Sequence, residues 1–287
     1  MGLCYLHWVD VARRQRPPPG ALYLDHLAHF VPNLDAAAAV WEKAGFAVTP
    51  LSNHQVAGKP AGTSNRCVMF EEGYMELLAP TLDTPNAARV RARMERYIGV
   101  HLACFGTPDP AAERRRLADH GFEPDPLVNL ERTIETGALL RFNVVYVPPP
   151  KMPEGRVQYC EHLTPEHVWR EGYVNPVAMT AVYVVADDPA QVAARWARFT
   201  GMLPRPAGPL VELQCARGRV RIGTREVVSS ILGSAPPAPS LAGYALACAD
   251  PGAFTARCRK AGLKVEGNVV TLPPELGGAW LLEARRR

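Results

Sequence analysis

The sequence has little clustered charge, no long apolar run and no paired-cysteine motif, and each lack closes off a class of function. Its 32 Lys and Arg against 28 Asp and Glu leave a formal charge of only +4, part of it from the tail Arg285, Arg286 and Arg287. Nucleic-acid binding needs a clustered basic stripe, and none is present. Apolar runs are broken within about a dozen residues by Pro, Gly or charge, short of the ~20 that span a bilayer, so no transmembrane helix is expected. Met1 to Pro19 lack an apolar segment of signal-peptide length, and Leu6 stands where a myristoylation pattern begun at Gly2 requires Ser or Thr. That stretch reads as a frayed extension and the protein as cytoplasmic. Cys4, Cys67, Cys104, Cys160, Cys215, Cys248 and Cys258 are an odd count without a Cys-x-x-Cys. Reduced core thiols are favoured over a disulfide framework or a zinc knuckle.

What is present is an ordinary globular composition, 47% hydrophobic and 21% charged, over 287 residues. That length exceeds the prior of about 150 residues for one domain, so two domains or one doubled domain is expected.

An internal repeat decides between them. His26-Leu27-Ala28-His29-Phe30 recurs as His101-Leu102-Ala103-Cys104-Phe105. Each copy is a strand-like run followed by a Pro- and Asp-containing turn, an Ala-rich helical stretch (36–43; 111–119) and Gly-Phe (Gly45-Phe46; Gly121-Phe122). Glycine is the residue expected just past a helix end, because it tolerates the left-handed conformation. Asp188-Pro189-Ala190 leading to Gly201, and Asp250-Pro251-Gly252 leading to Gly262, mark two fainter copies. Strand-like runs follow each helix: 46–49, 66–70 and 74–78 in the first module, 127–136, 139–146 and 157–163 in the second. The expected fold is therefore α+β, with four tandem βαβββ modules. The expected boundaries are an extension over 1–21, modules one and two over 22–170, and modules three and four over 171–287. The Pro-rich stretches at 148–150, 204–209 and 236–239 read as loops.

Tyr74-x-Glu76-x-Leu78-x-Pro80 matches Tyr159-x-Glu161-x-Leu163-x-Pro165, so both copies place a carboxylate inside an apolar terminal strand. A charge there costs several kcal/mol unless it is paired or bound to a metal. His26 and His101, each in the first strand of its module, raise the same question. Two facing modules would gather His26, Glu76, His101 and Glu161 at one centre suited to Ni²⁺, Co²⁺, Fe²⁺, Mn²⁺ or Zn²⁺. A bulge that shifted the last strand by one residue would substitute His162 for Glu161. His29, three residues from His26, should face the other side. Asn65 and Arg66 at the expected rim, and Arg141 in an apolar strand, are candidates for an anionic substrate group, with surface ion pairs the competing reading for the arginines. His54, in the polar stretch 52–59, reads as a solvated loop histidine or part of a lid. Trp169 either covers a pocket wall or packs between the halves.

Leu24-Asp25-His26, Asn33-Leu34-Asp35-Ala36-Ala37, Gly62-Thr63-Ser64-Asn65-Arg66 and Gly73-Tyr74-Met75-Glu76-Leu77-Leu78, set in repeated βαβββ units, resemble the vicinal oxygen chelate superfamily. Glyoxalase I, fosfomycin-resistance proteins and extradiol dioxygenases belong to it, and the similarity is to its glyoxalase-like branch. The resemblance covers about residues 22–165. It implies two cup-shaped mixed β-sheets with flanking helices and a divalent metal held by His26 with Glu76 and His101 with Glu161. It also implies lyase or isomerase chemistry on a small oxygen-rich substrate chelated by that metal, with Glu161 or Glu76 as general base. The alternatives are a non-catalytic small-molecule binding or resistance protein, or an Fe(II) dioxygenase using the N-terminal cup. The positions in modules three and four that match the first-strand His are Thr180 and Ala242, so that half is expected to carry no metal, and Glu283 to be an exposed strand-end charge. The expected partner is a small-molecule substrate, without nucleic acid or membrane, in a monomer or homodimer.

Overall fold

A computed structural model describes residues 10–285 of the chain. Cys4, Arg286, Arg287 and the first nine residues of the expected extension lie outside the described residues. From residue 10 onward that extension packs: residues 10–14 are helical, and Val11 and Ala12 are buried in the core. The Gln15 amide donates to the carbonyls of Val11 and Glu71, each at 2.9 Å.

The first module runs β1 (Tyr23–Phe30), α1 (Leu34–Lys43), β2 (Ser52–Val56), β3 (Lys59–Glu72) and β4 (Tyr74–Pro80). After helix α2 (Pro85–Met94), the second runs β5 (Gly99–Gly106), α3 (Pro110–Asp119), β6 (Val128–Thr133), β7 (Leu139–Tyr146) and β8 (Arg156–His162). A short helix α4 (Pro165–Val168) leads to the third, β9 (Val174–Val185), α5 (Pro189–Thr200), β10 (Pro204–Ala207), β11 (Leu210–Gln214) and β12 (Arg219–Gly223). Helix α6 (Arg225–Leu232) precedes the fourth, β13 (Ser240–Cys248), α7 (Pro251–Lys260), β14 (Lys264–Glu266), β15 (Val269–Thr271) and β16 (Ala279–Ala284).

The repeated helix starts have one chemical cause. Asn33, Asp109, Asp188 and Asp250 each accept from first-turn backbone N–H groups through their side chains, and Pro follows the three aspartates at the first helical position. At the other end Gly45 and Gly121 take the left-handed conformation (φ +82° and +76°) that turns the chain back into the core.

The expected strand at 46–49 is not one. Phe46 packs on Trp41, ring centroids 4.8 Å apart, and the strand forms at Ser52–Val56 instead. Its polar sequence gives no apolar alternation, because β2 draws its stability from pairing on both sides, with β3 and with β6.

The strand order β3-β2-β6-β7-β8-β5-β1-β4, with β4 returning to β3, closes an eight-stranded barrel from modules one and two. Modules three and four form an open sheet, β10-β11-β12-β9-β13-β16-β15-β14, joined to the barrel by parallel pairing of β9 with β3. The halves share one apolar core: Trp41 meets Trp280 at 4.7 Å and Tyr159 stacks on Phe199 at 5.1 Å. Helix α6 packs on the open sheet, burying Val228 and Leu232 with Tyr183, Ala245 and Ala279. Glu283 is not simply exposed there. It pairs with Arg219 and Arg221 and accepts from the Thr180 hydroxyl at 2.9 Å. Cys67, Cys104, Cys160, Cys215, Cys248 and Cys258 are free thiols. No helix among the described residues is long and apolar enough to cross a membrane.

Candidate active site

The barrel of modules one and two encloses a cavity of about 550 Å³. One wall is β1, where the antiparallel register with β5 breaks between Leu24 and His26. The break is a bulge at Asp25, and it lets two consecutive residues point inward where plain alternation would send them apart. The His26 ring lines the cavity and lies stacked on Tyr74 at 4.4 Å. Its Nδ1–H donates to Asp25 Oδ2 at 2.7 Å, and His162 Nε2–H donates to the same oxygen at 2.9 Å. Asp25 is fully buried. Burial alone would raise its pKa, but His162 and His26 outweigh that and hold the carboxyl well below the usual range. An ionised Asp25 fixes the His26 tautomer with the proton on Nδ1, which leaves the Nε2 lone pair for the cavity.

A second network lies on β2, β3, β4 and β6. Asn65 Nδ2 donates to Glu76 Oε1 at 2.6 Å and approaches His54 Nε2 at 3.1 Å, while Asn65 Oδ1 accepts from Arg132 Nη1 at 2.6 Å. His54 Nδ1 hydrogen-bonds with Thr63 Oγ1 at 2.9 Å, and His54 Nε2 lies 3.4 Å from Glu76 Oε1. Burial pushes the Glu76 carboxyl up, yet His54, His26 and Asn65 bring it down to about 2, so it is ionised at neutral pH. Arg132 is buried, makes no ion pair among the described residues, and lines the cavity beside Phe142.

The structure brings His26, Glu76 and Asn65 together and leaves the other sequence candidates elsewhere. His101 faces away from the cavity: Nε2–H donates to the Tyr97 carbonyl at 2.7 Å and the ring stacks on Tyr97 at 4.0 Å. Glu161 points out of the barrel, accepts from Asn143 at 2.8 Å, and lines a separate cavity of about 270 Å³. Arg66 pairs with Glu42 and Asp35 outside the barrel, and Arg141 with Glu131. His29 faces the second half, where Nδ1–H donates to Leu276 O at 2.9 Å and Nε2 meets the Tyr244 hydroxyl at 3.2 Å. Trp169 packs edge-on against Tyr74 and His162 and donates to Phe70 O.

The pairing register explains why His101 and Glu161 turn away. In the antiparallel β1–β5 pair His26 faces Cys104 and Ala28 faces Leu102. Of the two β5 residues Leu102 lines the cavity as His26 does, which makes it the module-two counterpart of His26. Glu76 lies beside Ala28, and the corresponding Cys104 lies beside Gln158. All four of His26, Glu76, Leu102 and Gln158 line the cavity. His101 is one residue before its slot and Glu161 three after, both odd shifts, and an odd shift reverses the face of a strand.

Sequence reasoning passed over Asp25 and Arg132 as functional side chains and read His54 as a loop or lid residue. Asp25 is adjacent to His26, and only the bulge turns it inward. His54 sits in a strand whose polar composition reads as loop, and Arg132 in the expected strand-like run 127–136, where nothing singled it out. The Gly62-Thr63-Ser64-Asn65 run was the available signal for that network, since it fixes Asn65 at its centre.

A closed barrel of two βαβββ units with a cavity inside is the fold of the vicinal oxygen chelate superfamily. Residues 24–200, more than half of the chain, match the glyoxalase-like domain family, and the chain belongs to that family. Among solved structures it is similar to a hypothetical protein from Staphylococcus aureus, at 14% identity and TM-score 0.64, covering 92% of this chain and 100% of that one. It is also similar to a mutant of 4-hydroxymandelate synthase from Streptomyces coelicolor, at 12% identity and TM-score 0.56, covering 88% of this chain and 77% of that one. At these identities the likeness is one of fold. No curated protein matches the sequence.

Proposed function

We propose that the protein is an enzyme of the lyase or isomerase type that moves a proton at a carbon next to a carbonyl or carboxylate, on a small oxygen-rich anion held in the barrel. The observation that carries this reading is the Asp25–His26 pair, whose free Nε2 opens on the cavity. His26 Nε2 takes the proton from the substrate carbon, the C–H electrons move onto the substrate oxygen, and a positioned guanidinium, Arg132, stabilises that oxyanion. Returning the proton to the same or a neighbouring carbon completes an isomerisation, and loss of a leaving group completes an elimination. Glu76, held at about 2, is too weak a base near neutral pH to compete with an imidazole. Its part is to hold Asn65, which in turn orients Arg132. Four arginines line the cavity, Arg89, Arg93, Arg132 and Arg156, against the carboxylates Glu76 and Asp125, a balance that favours an anionic ligand.

The donor set does not make the four-ligand divalent centre that the family resemblance implied. Leu102 offers no ligand atom where a second imidazole would stand, and Gln158 replaces a second carboxylate. Among the described residues the group whose potential ligand atoms come within 4.8 Å of one another is Asp25, His26 and Cys104. There Asp25 Oδ2 already accepts from two histidines, and burial holds the Cys104 thiol well above its usual pKa, away from the thiolate that binds metal. No step above therefore runs through a metal.

The test is hydrogen exchange in D₂O across a panel of 2-oxo and 2-hydroxy acids and their thioesters, read by proton NMR. The wild type should wash deuterium into the carbon next to the carbonyl of at least one of them, and His26→Gln should slow that exchange by about a hundredfold or more. Exchange that survives in His26→Gln, or that is absent across the whole panel, would overturn the reading.

A further inference from the structure

We propose that the cavity takes an elongated dianion, whose second anionic group, a carboxylate or phosphate, is held at a separate subsite made by Arg89, Arg93 and Arg156. This rests on the reading of the cavity as an anion-binding active site and names its substrate class more closely.

Arg89 and Arg93 lie one helical turn apart on α2, on the face that lines the cavity, and Arg156 is the first residue of β8 on the neighbouring wall. Arginines elsewhere in this protein find carboxylates: Arg66 with Glu42, Arg91 with Asp83, Arg116 with Glu113, Arg170 with Glu135. Arg89 and Arg93 make no hydrogen bond or ion pair among the described residues. Arg156 lies over the Tyr146 ring at 4.5 Å and reaches only Asn86 Oδ1, at 3.4 Å. Arg93 is half-buried, and burial together with the nearby Arg156 and Arg96 disfavours its charge. Arg156 is likewise half-buried and Arg89 is exposed, and like charges gathered on one wall without a counter-ion are the arrangement an anion relieves. The carboxylates on the cavity wall do not serve: Glu76 is engaged by Asn65 and His54, and Asp125 forms no ion pair with these arginines.

The subsite is distinct from Arg132, which hangs from Asn65 on the β2–β3–β6 side. Apolar side chains on the cavity wall, among them Val90, Leu102, Phe142 and Val144, suit a hydrocarbon or flat middle and reject a ligand charged throughout. Terminal carboxylate and terminal phosphate both fit a cluster of guanidinium forks.

Calorimetric titration of the whole protein with octanoate, octanedioate and omega-phosphonooctanoate separates the cases. The wild type should bind the two dianions about tenfold or more tightly than octanoate, the worth of one or two charge-assisted hydrogen bonds. The double variant Arg93→Met, Arg156→Met should lose that preference, with its affinity for the dianions falling to about that for octanoate, and Arg93→Lys should keep most of it. A larger gain for the phosphonate assigns the subsite to phosphate, and equal gains assign it to a carboxylate. Equal binding of octanoate and octanedioate by the wild type, no binding of either dianion, or a preference that survives in the double variant would overturn the subsite. Thermal unfolding of each variant keeps loss of fold apart from loss of ligand. The two proposals fail separately. His26→Gln should retain the dianion preference, so a preference found without any proton exchange sinks the catalytic reading and leaves the subsite standing.

Discussion

His26 donates from Nδ1 to the carboxylate of Asp25, its immediate neighbour in the same strand, at 2.7 Å. Consecutive strand residues ordinarily face opposite sides, and this pair meets because β1 bulges between Leu24 and His26. The bulge thus builds a carboxylate–imidazole pair into the wall of a cavity, and His162 completes it from β8 by a second hydrogen bond to the same oxygen.

Asp25→Asn tests that pair. The amide oxygen can stand where Oδ2 does and still accept from both histidines, but without the charge it holds the proton on His26 Nδ1 less firmly. Proton exchange by the variant should fall by about a thousandfold if His26 needs the ionised partner to present Nε2. Nitrogen chemical shifts of the labelled histidines should show the His26 proton leaving Nδ1. Unchanged exchange with unchanged shifts would make Asp25 a structural residue.

Arg132→Met should weaken binding of any active anionic substrate by about ten- to a hundredfold and lower the maximal rate as well, because the oxyanion loses its charged donor. Arg132→Lys should recover part of the binding but less of the rate, since an ammonium cannot reproduce the fork that spans Asn65 and the cavity. A variant altered in KM alone would place Arg132 in substrate binding only.

Acid should destabilise the protein in two stages. Burial pushes His29 and His101 down from 6.5 to about 4, so the folded state keeps both rings neutral while the unfolded chain takes up protons below about 6.5. Each contributes its stabilisation fully above that pH and loses it as the pH falls toward 4, ~3 kcal/mol per ring. Below the usual carboxylate range Asp25 and Glu76, both lowered, add a further loss, with Glu76 giving way near 2. Urea unfolding at a series of pH values between about 7 and 4 checks the first stage. A flat curve there would mean that the two rings are protonated in the folded protein.

The repeat made much of this legible. Pro- and Asp-containing helix starts and a glycine past each helix are local signals that located the four modules, and in the first two Gly-Phe and three strand-like runs after the helix reinforced them. His26, Glu76 and Asn65 were legible for a related reason, as polar residues in places where a plain core strand has none. The pairing of His101 with His26 and of Glu161 with Glu76 was sought by similarity of neighbours, and similarity does not fix register. A strand reverses its faces with every residue, so shifts of one and three positions took both residues out of the barrel. His54 was read as a loop or lid residue because its strand is held by neighbours on both edges and needs no apolar alternation, and Arg132, in a strand that was expected, carried nothing to set it apart from the other charges of its run. Helix α2 escaped because its polar sequence buries only Ala87 and Val90, although it carries half of the arginines on the cavity wall.

The same register yields a constructive test. If Leu102 and Gln158 hold the slots that answer to His26 and Glu76 across the pseudo-twofold, Leu102→His with Gln158→Glu should create a centre of two imidazoles and two carboxylates inside the cavity. The double variant should then take up Co²⁺ or Ni²⁺, with a ligand-field spectrum and an unfolding midpoint that rises with ion concentration. At about a hundred times the dissociation constant the gain is ~2.7 kcal/mol. Gln158→Glu alone adds a buried carboxylate without a fourth ligand, so it should lose stability in the absence of ions and recover less of it when they are added. A double variant that folds and shows no ion-dependent shift would mean that these four positions do not converge, and the register-based equivalence of the two modules would fall with it.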